Sequence, residues 1–240
     1  MNISYEKTKT VWSGYENILT SLIEKHKLSR ICDIGGGANP ILDIEYITKN
    51  NLSYSVLDIS KDELEKAPKG YDKIVKDICS PNIEIQEDYD FIFSKMLVEH
   101  IKDAPQLHKN IHQMLCDGGI AVHFFPTLYT FPFIINLLFP ESLTFSILKL
   151  FQPKRDLYQT AKFPAYYKWC YGPVNKQINR FQELGYDIIE YTGLYGHDYY
   201  KRFSVIQLIH KMKVNYLLRN PNPFFTNFSM VVLSKSVKSS

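Results

Sequence analysis

Four short stretches carry side chains whose type and spacing could do chemistry. The run Ile31-Cys32-Asp33-Ile34-Gly35-Gly36-Gly37-Ala38-Asn39-Pro40 sets a carboxylate two residues ahead of three consecutive glycines. Glycines after a strand let a ligand approach the backbone closely and support φ angles that other residues resist. Asp58 and Ile59 follow the alternating run Leu52 to Leu57. A carboxylate at the end of a second strand can accept hydrogen bonds from both hydroxyls of a ribose. Asp77 and Ile78 follow Lys73 to Val75, where an acid can accept from the amino group of adenine. Ser94 closes the apolar run Tyr89 to Phe93.

The glycine turn discriminates between two kinds of ligand. A dinucleotide pyrophosphate wants G-x-G-x-x-G leading into a helix, but Pro40 stands at the third glycine position. The acid Asp33 is awkward beside a pyrophosphate and suits a ligand with an ammonium group. Three acids at three successive strand ends, with one glycine turn, describe a site for an adenosine that carries an amino acid. Each piece also has a plain structural reading. Such a turn is often only a turn, and Asp77 can cap its own loop.

Three histidines are candidate general bases: His100 after the fourth strand, His123 within the fifth and His197 after the sixth. Imidazole suits the task because its ordinary pKa is near neutrality. His100 can equally fix local backbone, and His123 can equally be a hydrogen-bonded core residue. His197 precedes Asp198, Tyr199 and Tyr200 in a segment suited to line a pocket.

The elements that must position these residues alternate between strand and helix. Helical periodicity runs over residues 14–27, 41–48, 61–66, 98–115, 174–184 and 205–218. Strand signals cover 30–34, 52–57, 73–75, 89–93, 120–125, 186–191 and 229–234. The order predicts an α/β fold: a mostly parallel seven-stranded sheet with helices on both faces. It divides into an N-terminal helix (1–29), a ligand-binding half (30–125), an aromatic-rich helical lid insert (126–173) and C-terminal strands and helices (174–240). Phe124, Phe125, Tyr129, Phe131, Phe133, Phe139, Phe145 and Phe151 crowd the insert or its approach. Its longest apolar run is too short to span a bilayer, which needs roughly 20 residues. The insert reads as an acceptor lid, as extra core, or as a weak membrane-surface contact.

Composition is that of a folded domain: 240 residues, 45% hydrophobic and 22% charged. Four cysteines without C-x-x-C spacing and a polar start predict a reduced, cytoplasmic protein. No metal-ligand spacing is present. The net charge of +3 is uneven, −5 over residues 1–150 and +8 over 151–240. A basic C-terminal part can face an anionic substrate, a membrane or nucleic acid, or can be ordinary solvated surface. The short Lys211-Met212-Lys213 run and the lack of an RNA-binding signature make nucleic acid an unexpected partner.

The ordered combination resembles the class I, seven-strand S-adenosylmethionine (SAM)-dependent methyltransferases. The matching residues are Asp33, Gly35 and Gly37, then Asp58, then Asp77-Ile78, then Tyr89 to Ile101, similar to the family's D-x-I-x-S-x-x-x-L-E-H stretch with Val98 where leucine is usual. Asp117-Gly118-Gly119 before strand five is also typical. The resemblance implies SAM as cofactor and S-adenosylhomocysteine (SAH) as product. It places Gly35 and Gly37 at the methionine part, Asp58 at the ribose, Asp77 and Ile78 at the adenine and Ser94 near the methyl end, with Gly36 and Ile59 alongside. The expected activity is methylation of a small molecule, on oxygen if a histidine is the base, the acceptor being a sugar, a lipid-linked molecule or another secondary metabolite. A non-catalytic SAM-binding module and a nicotinamide-dependent oxidoreductase are the alternatives.

Overall fold

The computed structural model describes residues 1–81, 83, 88–130 and 164–237. The expected lid insert falls mostly on residues 131–163, which lie outside the described residues. In chain order the elements are β1 (Asn2–Lys7), α1 (Thr8–His26), β2 (Arg30–Ile34), α2 (Ile44–Lys49), β3 (Ser53–Asp58), α3 (Lys61–Lys66), β4 (Asp72–Val75) and β5 (Tyr89–Lys95). A 3₁₀ turn (Val98–His100) follows, then α4 (Ala104–Met114), β6 (Leu115–Pro126), α5 (Asn175–Glu183), β7 (Tyr186–Tyr195), α6 (Ser204–Arg219) and β8 (Phe228–Lys235).

The strands form one sheet in the order β1-β7-β8-β6-β5-β2-β3-β4. All neighbours are parallel except the pairs of β8 with β6 and β7. The sheet has eight strands rather than the expected seven. The additional strand, β1, lies in the stretch read as the start of an N-terminal helical region. It escapes pattern reading because it is a short, half-solvated edge strand in which only Ile3 and Tyr5 are apolar, too few to set a period. Pairing holds it: Asn2 to Lys7 run in register with Glu190 to Tyr195. The Tyr5 and Tyr195 rings stack at 5.7 Å, and Ser4 Oγ lies 2.9 Å from Thr192 Oγ1.

The chain runs outward from β2 through β3 to β4, then returns to lay β5 on the other side of β2. The carboxyl ends of β2 and β5 therefore flank the topological switch point, where open α/β sheets bind ligands. One face is covered by α1, whose buried residues Val11, Tyr15, Leu19 and Ile23 recur at helical spacing. On this face Tyr15 packs 5.5 Å from Phe124. Because successive strand residues face opposite ways, His123 points to the other face. There it meets His108 of α4, which in turn contacts Phe181 of α5.

The helix expected over 98–115 is broken in two. Asp103 accepts from the Gln106 N–H at 3.0 Å and caps α4, with Pro105 in its first turn. Capping and an N-terminal proline both favour a new start here.

Candidate functional site

The site grows from the end of β2. Asp33 is fully buried, and its Oδ2 accepts from the Tyr54 hydroxyl at 2.7 Å and from the Ile41 N–H at 3.0 Å. The carboxylate thus ties the glycine turn to β3 and to the chain beyond Pro40. Burial pushes its pKa up to about 6, against the opposing pull of the Ile41 and Tyr54 bonds. Glycines are required here by packing as well as by conformation. A β-carbon on Gly36 would stand 2.8 Å from Asp33 Oδ2 and 2.9 Å from Val56, and Gly35 and Gly37 have φ of +77° and +45°. The turn is a cradle that any side chain would fill.

Asp58 closes β3. Its Oδ1 accepts from the Ser60 N–H at 2.8 Å, and burial raises its pKa. Ile59 beside it is 65% exposed, an apolar side chain offered to the rim without protein cover. Asp77 is exposed, and its Oδ1 accepts from the Cys79 N–H at 2.8 Å, so the loop-capping reading is realised. Ile78 is buried. The loop is held from below by Asn110 of α4, whose Nδ2 donates to the carbonyls of Ile78 at 2.6 Å and Ser80 at 2.8 Å. The three acids therefore stand at the carboxyl ends of β2, β3 and β4, along one sheet edge.

Ser94 sits differently from the expectation. Its hydroxyl lies 2.8 Å from His123 Nδ1, on the α4 face, and only its carbonyl turns toward α1, accepting from the Tyr15 hydroxyl at 3.0 Å. The next residue, Lys95, reaches the cavity instead.

That cavity, of about 470 Å³, is walled by Asp33, Gly35 and Gly36, by Trp12, Ser13 and Glu16 of α1, and by Lys95. Lys95 Nζ lies 5.1 Å from the Trp12 ring centre and 5.4 Å from that of Tyr15, and burial lowers its pKa. Pattern reading missed Trp12, Glu16 and Lys95. The available signal was Trp12, a large aromatic at the start of α1, off its apolar stripe and 45% exposed.

A second cavity of about 690 Å³ opens beside the first and shares Trp12 and Ser13 with it. It lies between the start of α1, the end of β7 and α6, and its lining includes His197 and His210. The His197 N–H donates to His210 Nε2 at 3.2 Å, and the two rings sit 4.2 Å apart. Burial, followed by His210, lowers the His197 pKa to about 3. The other two histidines line neither cavity. His123 is completely buried and held down to about 4 by burial. His100 Nδ1 lies 2.9 Å from the Pro164 carbonyl, where it fastens the returning chain to the motif after β5.

Among the described residues no group of His, Cys, Asp or Glu could hold a metal ion. No described helix is long and apolar enough to cross a membrane.

An open sheet with its switch point at a glycine turn, and acids at the next two strand ends, defines the Rossmann-like class I SAM-dependent methyltransferases. A family model described as "Methyltransferase domain" matches residues 13–191, and the chain belongs to that family. No curated protein matches it in sequence. Among solved structures, an S-adenosylmethionine-dependent methyltransferase from Clostridium acetobutylicum ATCC 824 superposes with a TM-score of 0.56 at 12% identity, covering 93% of this chain and 92% of that one. The N-methyltransferase NodS from Bradyrhizobium japonicum WM9, solved with SAH, gives 0.52 at 11% identity, covering 93% and 86%. StiE O-MT gives 0.54 at 13% identity, covering 96% and 77%. At these identities the likeness is one of fold.

Proposed function

We propose that this chain transfers a methyl group from SAM to a small-molecule acceptor, with oxygen the favoured acceptor atom. The observation that carries the reading is the pair of adjoining cavities at the carboxyl edge of the sheet, one lined by the glycine turn, the other by His197. In this reading the backbone of Gly35 to Gly37 supports the methionine part, and the Asp33 charge at the cavity wall favours its ammonium group. Asp58 accepts from the ribose hydroxyls. Ile59 and Ile78 flank the adenine, with Asp77 toward its amino group. Ser94 contributes through its backbone, its hydroxyl being engaged elsewhere. SAM, when bound, supplies a methyl group already activated on a sulfonium.

The protein's remaining work is to align the acceptor, exclude water and take up a proton where the acceptor carries one. Of the three candidate histidines only His197 lines the second cavity, and we assign it that last step on this ground. It is neutral at physiological pH and stands in the acceptor cavity. Related folds methylate nitrogen as well as oxygen, as the names of NodS and StiE O-MT state, so the oxygen preference rests on His197 alone. The open second cavity favours catalysis over a SAM-binding module that lacks acceptor space.

Thermal denaturation with SAM, SAH or NAD tests the reading, because a ligand that binds the native state raises its stability. SAM and SAH are expected to raise the midpoint and NAD to leave it unchanged. A shift with NAD alone removes the proposal.

A further inference from the structure

We propose that the second cavity binds an anionic group, a phosphate or carboxylate carried by the acceptor. That this ligand is the acceptor rests on the methyl-transfer reading, whereas the anion site stands on its own geometry. Lys7 and Lys9 from the β1–α1 junction and Lys211 from α6 converge on the cavity. The one acid in the lining, Asp198, is paired with Lys201 at 2.6 Å. The cavity therefore presents positive charge contributed by two elements far apart in sequence.

The start of α1 adds to this charge. Lys7 gives the helix no side-chain cap, and the first turn holds no acid. The first amide N–H groups and the positive end of the helix dipole are left without a negative partner on the protein side. Such an end accepts phosphate or carboxylate. A second, independent observation points the same way. Thr8, only 7% exposed, lines the cavity, and its hydroxyl has no hydrogen-bond partner; neither has His197 Nδ1 nor Gln207 Oε1. Buried polar atoms nearly always have partners; these three are closed to water as they stand, and a polar ligand satisfies them once a small rotation of their side chains turns them into the cavity.

Tyr195, Val214 and Phe228 add apolar wall to the same cavity. The ligand that fits is a small molecule with an apolar body and one acidic group. Such a ligand also answers the low basicity of His197. Burial, His210 and Lys213 hold that imidazole down to about 3, with Asp198 opposing, and a nearby anion favours its protonated form.

Calorimetry on the full chain, with and without SAH, tests the proposal using phenyl phosphate, benzoate and phenol as probes. Dihexanoyl phosphatidic acid separates a lipid headgroup from a free phosphate. At least one anionic probe is expected to bind, with phenol about tenfold weaker or worse. The double substitution Lys9→Gln, Lys211→Gln removes two exposed charges, and about a fivefold loss of anion affinity is expected from pairs of this kind. High salt should weaken the wild type and leave the double variant nearly unchanged. SAH affinity should not move in the variant. No binding by any anionic probe, equal binding of phenol, or unchanged anion affinity in the double variant overturns the anion site. Failure of SAH to bind the wild type overturns the methyl-transfer reading instead, and the anion result is then read by itself.

Discussion

Gly37 and Asp58 face one another so closely that a β-carbon on the glycine would stand 3.1 Å from Asp58 Oδ2. The turn after β2 and the carboxylate after β3 thus form a single wall. Replacing Asp58 with alanine should leave folding nearly intact, since the bonds lost within the protein are local ones, to the Ser60 and Ile59 backbone. It should weaken SAM binding by about 10- to 100-fold, because hydrogen bonds to a charged acceptor contribute ~1.5–3 kcal/mol each. Titration calorimetry reads this directly, and wild-type affinity in the variant would remove Asp58 from the site.

Asn110 acts on the site from beneath. Its side chain is completely buried and holds the carbonyls of Ile78 and Ser80. Asn110→Ala leaves both carbonyls unpaired and should cost about 2–3 kcal/mol of stability. The loop carrying Asp77 and Ile78 should loosen, and SAM affinity should drop severalfold. Ile111→Val, a neighbouring core truncation costing ~1 kcal/mol, serves as control and should leave affinity alone. If the two variants bind SAM equally well, Asn110 matters only to folding.

What could be read from sequence differed by the range over which each feature is determined. The glycine turn and the acids after β3 and β4 are local patterns, and the structure sets all of them along one edge. Helix α3 starts where its pattern starts because Ser60 caps it by accepting from the Glu63 N–H. Edge strand β1 was not legible, because its stability comes from pairing with residues nearly two hundred positions away. Nor did sequence settle which way Ser94 and His123 point. A period of two says that neighbours alternate, not which of them faces the ligand. The place of Trp12 and Lys95 against the glycine turn required the angle at which α1 crosses the sheet.

Glu99 sets a pH dependence of stability. It is 3% exposed, its Oε2 has no partner, and burial raises its pKa from 4.5 to about 8. The folded chain holds this proton more tightly than the unfolded one. Stability from Glu99 is therefore complete below the ordinary glutamate range and is lost as pH rises through about 8. The histidines with lowered pKa (His108, His123, His197 and His210) act below their ordinary value of 6.5. From pH ~6.5 to 8 the decline in stability is thus expected to belong to Glu99. Glu99→Gln, which keeps shape and removes the titration, should flatten urea-unfolding stability across that window and leave the variant more stable than wild type at pH ~8. A wild-type slope retained in the variant would show that another group titrates there.

Ser94 and His123 allow the expected site to be separated from the observed core. Their bond joins β5 to β6 within the sheet, and both side chains are buried. Burial lowers the His123 pKa to about 4, so the unfolded chain takes up this proton first as pH falls. Stability contributed by neutral His123 is present above the ordinary imidazole value and lost as pH drops toward about 4. The paired substitution Ser94→Ala, His123→Phe removes both polar partners together and keeps a ring against His108. Removing both partners with similar volume is often close to neutral, whereas removing one strands the other. The double variant should lose less stability between pH ~6.5 and 5 than the wild type does, because one of its acid-titrating groups is gone. SAH affinity, measured on the same samples, should remain within about twofold of wild type if neither side chain touches the cofactor. A loss of tenfold or more would return Ser94 to the methyl end of the site and give its bond to His123 a functional role.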